Sequence, residues 1–259
     1  IIKFHAIFWP CMLMAMDLPL PETLIVHGFI TVNDSKMAKS TGNIVNPLEI
    51  TKKYNLDNSD ALRYYLLSNA HLGKDANFSE EDFVNKVDAD LANNLGNLLN
   101  RTLSMLYKYN KGQMPKSTKS SELESLCKST KEKVCEEFDN YQLGNAANEI
   151  ISLVDSINKY VNEQAPWAKA KNEQTMEECL SILYNVLESL RWVAFLIEPL
   201  TPNLAQNIKE QLSLNNCCKI ESLDQLKWGG LCDNIVIEKA NIKPIFLRIG
   251  SELASDKKK

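Results

Sequence analysis

The sequence predicts a mainly α-helical fold in which a short mixed α/β segment precedes an antiparallel helical bundle. Three observations predict it. From Phe78 to Glu198, apolar residues recur at helical spacing in long stretches joined by short polar loops. Ahead of them, Leu24–Val32 is an apolar, β-branched run that reads as a buried strand of a largely parallel sheet. The 259 residues suffice to bury a core, and fractions of 44% hydrophobic and 24% charged are those of a globular chain.

Composition excludes several classes. A net charge of −4 gives no global basic field, so any RNA contact must come from local groups. The seven cysteines are an odd number without a CxxC spacing, which predicts reduced thiols rather than disulfides or a zinc site. No apolar run approaches bilayer-spanning length, and Phe8–Leu20 is broken by Pro10, Asp17 and Pro19, unlike a signal peptide. The chain opens at Ile1 in the middle of a helical pattern, which predicts a piece of something longer.

The elements follow in order. Ile1, His5, Phe8, Trp9 and Met12 fall on one face of a predicted buried helix, Ile1 to Met16, which Pro10 should kink. His5 and Trp9, four apart on that face, read either as a core pair or as the wall of a thioether-sized pocket. After the strand, Asn33-Asp34-Ser35 is a turn that delivers Lys36–Ser40 onto a loop. Lys36 and Lys39, three apart, read as a solvated surface loop or as a cationic clamp for phosphate oxygens. Asn46 caps a helix with Pro47 at its first position and Glu49 reaching back. A second short helix, Asp60–Ala70, is capped at Asp57 or Ser59, and Arg63 on it reads as structural. Ser79 with Asp82 opens the longest helix, whose stripe Phe83, Val87, Leu91, Leu95, Leu98, Thr102, Leu106 and Tyr109 ends at Gly112 and Pro115. Asn97 and Arg101 lie off the stripe on an exposed face, as a solvated pair or as edge readers of an unstacked base.

Three more helices are predicted: Glu122–Asn140, Leu143–Glu163, and one capped by Thr175 that runs to Glu198. In the loop before the last of these, Trp167 reads as a packed corner or a stacking platform. Thr201-Pro202 starts a short helix to about Leu214. Ile235–Ile237 and Pro244–Ile249 read as segments returning along the bundle, and Ser251–Lys259 as a loose tail.

Several motifs then coincide. Lys36–Ser40, with His27-Gly28 ahead and Gly42-Asn43 behind, resembles the KMSKS signature of class I aminoacyl-tRNA synthetases, Ala38 replacing the serine. Ile1–Pro10 resembles the segment after the GKD motif of methionyl-tRNA synthetases, where the positions of Ile1, His5 and Trp9 line the methionine pocket. DALRYYL at residues 60–66 resembles the class I segment that follows the lysine loop on the acceptor-stem side. Val87–Arg101 resembles that family's first anticodon-domain helix with its NxxxR pair, and Glu163–Trp167 its EQAPW motif.

The resemblance implies a fold and a function. The fold is the end of a Rossmann-type α/β catalytic domain followed by an α-helical anticodon-binding bundle. Residues 1–50 hold the catalytic part, 51–85 the stem-contact segment, 86–225 the bundle and 226–259 the return segment. Methionine is activated by ATP with Mg²⁺ and passed to tRNA(Met). Lys39, assisted by Lys36, acts on the triphosphate; Lys36, Met37, Lys39, Ser40, His27, Gly28 and Ile30 bind ATP; Ile1, His5 and Trp9 bind methionine; Asn97, Arg101 and Trp167 read the anticodon. No HIGH-type motif occurs and the zinc-bearing insertion is missing, so the expected portion is C-terminal, inactive alone, zinc-free and a partner of an N-terminal half. The alternatives are a standalone anticodon-binding module and a class I synthetase of another specificity. The expected compartment is the cytoplasm, with a mitochondrial or plastid matrix as the alternative.

Overall fold

The structure is a computed structural model that describes residues 1–32, 35–37, 43–69, 71–116, 121–214, 220–232 and 234–249. It opens with a π-helical segment, Phe4–Phe8, that runs into α1, Trp9–Ala15. Pro10 explains the change of winding. Proline is tolerated only in the first turn of an α-helix, and the wider turn before it lets Trp9 N–H reach the Phe4 carbonyl. The helix is present, but no residue of it is buried, against expectation. A helix apolar on every side needs cover on every side, and the described residues of this chain do not supply it.

The apolar run after α1 is likewise mostly uncovered. Of Leu24–Val32, only Ile30–Val32 forms a strand, β1, and only Val32 is buried. β1 pairs antiparallel with β2, Ser35–Lys36, and parallel with β3, Ala76–Phe78, in a three-stranded sheet ordered β2-β1-β3. The expected parallel neighbour therefore exists, while Lys36 lies in a strand by its backbone rather than on a loop. Gly28 is required by the crossing beside it. A Cβ there would stand 2.0 Å from the Lys74 carbonyl oxygen, so only glycine lets the two backbones pass.

α2, Pro47–Lys53, is capped as expected: Asn46 Oδ1 accepts from Leu48 N–H, and Asn46 Nδ2 donates to Glu49. α3, Asp60–Ser68, begins after Ser59, but the side-chain cap comes from Asn58, whose Oδ1 accepts from Asp60 N–H. Neither predicted cap residue supplies it.

The long rod is helical throughout but not uniform. α4, Glu80–Val87, passes through a π-helical stretch, Asp88–Gly96, into α5, Asn97–Asn110. Ser79 Oγ accepts from Asp82 N–H, and the stripe from Phe83 to Leu106 is fully buried. Lys111 and Gly112, at φ 54 and +81, turn the chain out of the helix. Tyr64 on α3 donates to Asp90 at 2.7 Å, and Lys86 pairs with the same carboxylate, fastening α3 to the rod. Burial and that neighbouring charge push the Tyr64 phenol well above its ordinary range.

The bundle is completed by α6, Ser121–Asp139, α7, Leu143–Gln164, the four-residue α8, Pro166–Lys169, and α9, Met176–Ile197. Thr175 stands at the cap position of α9 without capping it; its hydroxyl donates to the Lys169 carbonyl at 2.6 Å and so closes the loop from α8. By length and composition, Glu173–Ile197 is apolar enough to cross a membrane, contrary to expectation, and 89% of its apolar window is buried inside the fold. It is the core helix.

On α9, Glu188 and Arg191 are both buried and paired at 2.6 Å. The pair is satisfied from the return segment: Gly229, Gly230 and Leu231 N–H donate to Glu188, and Arg191 donates to the Lys227 carbonyl. α10, Pro202–Gln211, follows. The last described residues do return along the bundle. Ile237 N–H donates to the Gly112 carbonyl at 2.8 Å and Ile249 N–H to Asp88 at 2.8 Å.

Candidate functional site

Two places gather the predicted residues. The first is a cleft of about 860 Å³ between the amino-terminal helix and the run entering β1, lined by Ile1, His5, His27, Gly28, Ile30 and Met37 among others. Residues predicted for two different ligands thus share one cavity. His5 Nδ1–H donates to the Ile1 carbonyl at 3.1 Å, which fixes the tautomer and leaves Nε2 as an acceptor. Its ring meets Trp9 edge-on with centroids 6.5 Å apart. Trp9 is outside the cleft lining and 42% exposed. His27 Nδ1–H donates to the Gly28 carbonyl at 2.7 Å, and Asp75 accepts from Phe29 N–H at 2.7 Å, pinning the floor.

Lys39 and Ser40 lie outside the described residues, as do Asn33 and Asp34 of the predicted turn, and of Lys36 only the backbone is described. What surrounds them is informative. Asn43 Nδ2 donates to the Val32 and Ser35 carbonyls at 3.1 and 3.4 Å, tying the exit of the lysine segment to the β1–β2 hairpin. Sequence reasoning gave Asn43 only as a matching letter. Among the described residues no three His, Cys, Asp or Glu side chains converge as a metal cluster.

The second site lies where α5, α7 and α8 meet. Ala165, at φ 44, ends α7 and starts α8, which places Trp167 at the surface, 39% exposed, above a buried Pro166. The Arg101 guanidinium carbon sits 5.8 Å from the indole centroid. Arg101 Nη1 donates to Asn162 Oδ1 at 3.3 Å, while its Nε and Nη2 are buried without a partner. Buried donors on a charged group are costly to leave unmatched. Together with the half-exposed indole they make the Arg101–Trp167 socket, whose accessible face is the indole because the two donors are buried.

The register of this socket is set one heptad away. Asn94 donates to Asp155 at 2.6 Å, and Asn158 donates to Asn94 at 2.7 Å. Asn94 and Asp155 stand seven residues before Arg101 and Asn162, so the two contacts are rungs of one ladder between the rod and α7. Asn162, Asn94 and Asp155 were missed from sequence, because cross-helix rungs 61 residues apart leave no local pattern. Asn97 is exposed as predicted. It opens on a shallow pocket of about 230 Å³ with Asn93, Asn100 and Arg248 in its lining. Arg101 departs from the prediction: it is half-buried and packed, because α7 and α8 fold over it.

Comparison with known proteins divides the chain elsewhere, with Asn97 and Arg101 in the first match and Trp167 in the second. Residues 1–103 match the model of the class I (M) tRNA synthetases, and residues 113–227 that of the anticodon binding domain of methionyl tRNA ligase. The methionine–tRNA ligase of Caldanaerobacter subterraneus subsp. tengcongensis is 39% identical over 263 residues, which is 100% of this chain and 40% of that protein. That of Halalkalibacterium halodurans is 40% identical over 97% of this chain and 38% of its own length. Mycobacterium tuberculosis methionyl-tRNA synthetase in complex with methionyl-adenylate superposes with a TM-score of 0.81 at 30% identity, covering 95% of this chain and 48% of that one. The chain thus spans about two fifths of the length of the curated relatives it matches.

Proposed function

We infer that this chain, which belongs to the methionyl-tRNA synthetase family, carries the tRNA-reading bundle and the closing part of the catalytic unit of an enzyme that joins methionine to tRNA(Met). Its placement in the C-terminal portion of a longer polypeptide is part of this proposal and rests on the motif order in the sequence. The observation that carries the reading is the Arg101–Trp167 socket, a half-exposed indole against a packed guanidinium. A splayed-out anticodon base stacks on Trp167 and presents its edge to Arg101, with Asn97 one turn along the rod as the neighbouring reader.

At the other site the chain's own groups bind and orient. Ile1, His5 and Trp9 hold the methionine side chain, Ile1 and His5 from the cleft lining and Trp9 from its place edge-on to His5, the rings by sulfur–aromatic contact. Gly28, His27, Ile30 and Met37 form the wall beside ATP, Lys39 with Lys36 neutralises the triphosphate as methionyl adenylate forms, and Ser40 contributes a hydroxyl donor to it. Mg²⁺ accompanies ATP as part of the substrate. The sequence has no HIGH-type motif, so the isolated chain does not catalyse methionine-dependent pyrophosphate exchange. In the complete protein, Lys39→Ala lowers kcat by about 100- to 1,000-fold, with methionine affinity little changed. A reducing compartment such as the cytoplasm is proposed from the odd number of cysteines without CxxC spacing in the sequence.

The test uses the chain itself. A fluorescence titration compares a hairpin carrying a CAU loop with one whose loop is scrambled. Tighter binding of the CAU hairpin, lost in Trp167→Ala with the fold intact, is the expected result; equal affinities would refute the reading.

A further inference from the structure

Asp60 and Arg63 do for a distant part of the chain what helix-capping groups ordinarily do for their own. Asp60, the first residue of α3, is 1% exposed. Its Oδ2 accepts from Leu204 N–H at 2.7 Å and its Oδ1 from Asn203 Nδ2 at 3.1 Å, both in the first turn of α10. Thr201, at the cap position of α10, makes no side-chain cap; its hydroxyl turns back to the Ile197 carbonyl. A carboxylate from α3 therefore caps α10 in trans. One turn along α3, Arg63 Nη2 and Nε donate to the Pro199 and Leu200 carbonyls at 2.9 and 3.2 Å, just past the end of α9. The acid sits on a helix start and the base beyond a helix end. Both signs are matched across one junction.

This latch joins the two halves of the molecule that the proposed reaction must keep in step. α3 follows the lysine segment and α2 within the stem-contact stretch; Tyr65 on it donates to the Asn77 carbonyl of β3 at 3.4 Å, and Tyr64 fastens it to the rod. α9 is the buried core of the bundle. Resting on the functional reading above, we propose that Asp60 and Arg63 are positioning residues that fix the angle between the lysine-bearing unit and the anticodon-reading bundle, so that a tRNA held at Trp167 delivers its acceptor end to the cleft. Neither residue lines that cleft or the Arg101 socket.

The experiment uses the complete protein that carries this chain, with Asp60→Ala, the near-isosteric Asp60→Asn, and Arg63→Gln at an exposed position as the safeguard against simple misfolding. Methionine-dependent pyrophosphate exchange, CAU-hairpin affinity and aminoacylation of whole tRNA are measured on each. Misplacement of about 1 Å costs roughly 100-fold in a positioned reaction, so kcat/KM for aminoacylation should fall by about 10- to 100-fold. Exchange and hairpin affinity should stay within about twofold, since neither needs the angle between the units. Asp60→Asn, which keeps an acceptor for Leu204, should recover part of the loss. Two results would overturn the proposal: unchanged aminoacylation, or a parallel fall in all three measurements, the signature of a merely structural role. Absence of exchange in the unsubstituted protein would overturn the functional reading itself, and the proposal with it.

Discussion

Residues 1–32 and the rod from α4 to α5 are comparably rich in large apolar side chains, yet they end up in opposite environments. Along the rod, Phe83, Val87, Leu91, Leu95, Leu98 and Leu106 are fully buried against α7 and α9. In the first region Ile1, Phe4, Ile7, Phe8, Trp9 and Met12 are all exposed, as are Leu24, Ile25 and Val26. The rod's apolar residues form one stripe, which this chain's own helices cover. The first helix is apolar on all sides and, among the described residues, shares a cleft with the run entering β1 while none of its own residues is buried. Apolar periodicity states that a surface wants burial; it does not state that the partner is in the same chain.

The sharpest way to break the comparison is at the buried Glu188–Arg191 ion pair of the bundle. Glu188→Gln leaves Arg191 buried without its counter-charge and strips a charged acceptor from the 229–231 backbone. Chemical denaturation should show a loss of about 3–5 kcal/mol. A loss under about 1 kcal/mol, the scale of an exposed pair, would mean that the return segment contributes little to closing the core.

Two truncations probe the contrast directly. Leu98→Ala, at a fully buried site, should cost about 2–5 kcal/mol. Phe8→Ala, larger in side-chain volume but exposed, should shift stability by no more than about 0.5 kcal/mol. Equal losses would show that the amino-terminal helix is packed after all.

At the socket, Trp167→Ala should weaken CAU-hairpin binding by about 1–3 kcal/mol, the value of one base stack. Its melting temperature should stay close to that of the unsubstituted chain, since the indole is partly exposed. A large drop in Tm would return Trp167 to the role of a packed corner.

The smallest effect is a pH dependence at the junction of the two regions. The hydrogen bond from Lys53 holds the Glu80 carboxyl below its usual value, with Tyr54 donating as well, and these outweigh partial burial. A folded pKa below the unfolded value of 4.5 means that the contribution is complete above about pH 4.5 and is lost as pH falls through the folded value. Glu80→Gln should flatten that part of the acid-unfolding curve and leave stability at neutral pH slightly lower. An identical acid limb in the variant would show that the pair, which is exposed, contributes nothing measurable.

Much of this protein was determined by its sequence alone. The stripe of the rod, the Ser79 and Asn46 caps and the exit at Gly112 are local, so spacing and turn chemistry suffice to find them. Asn97, Arg101 and Trp167 could be named from motifs, because NxxxR and EQAPW are local residue patterns. Only the tertiary structure decided the rest. It put Arg101 under α7 and α8 with two unmatched donors, a state set by Asn162 from 61 residues away. It withheld the expected cap of Thr175, whose hydroxyl donates to the Lys169 carbonyl instead, and moved that of Asp57 or Ser59 to Asn58. It capped α10 from Asp60 rather than Thr201. And it left Ile1–Met16 helical but uncovered, because helix formation depends on neighbours along the chain while burial depends on a surface that must be folded beside it.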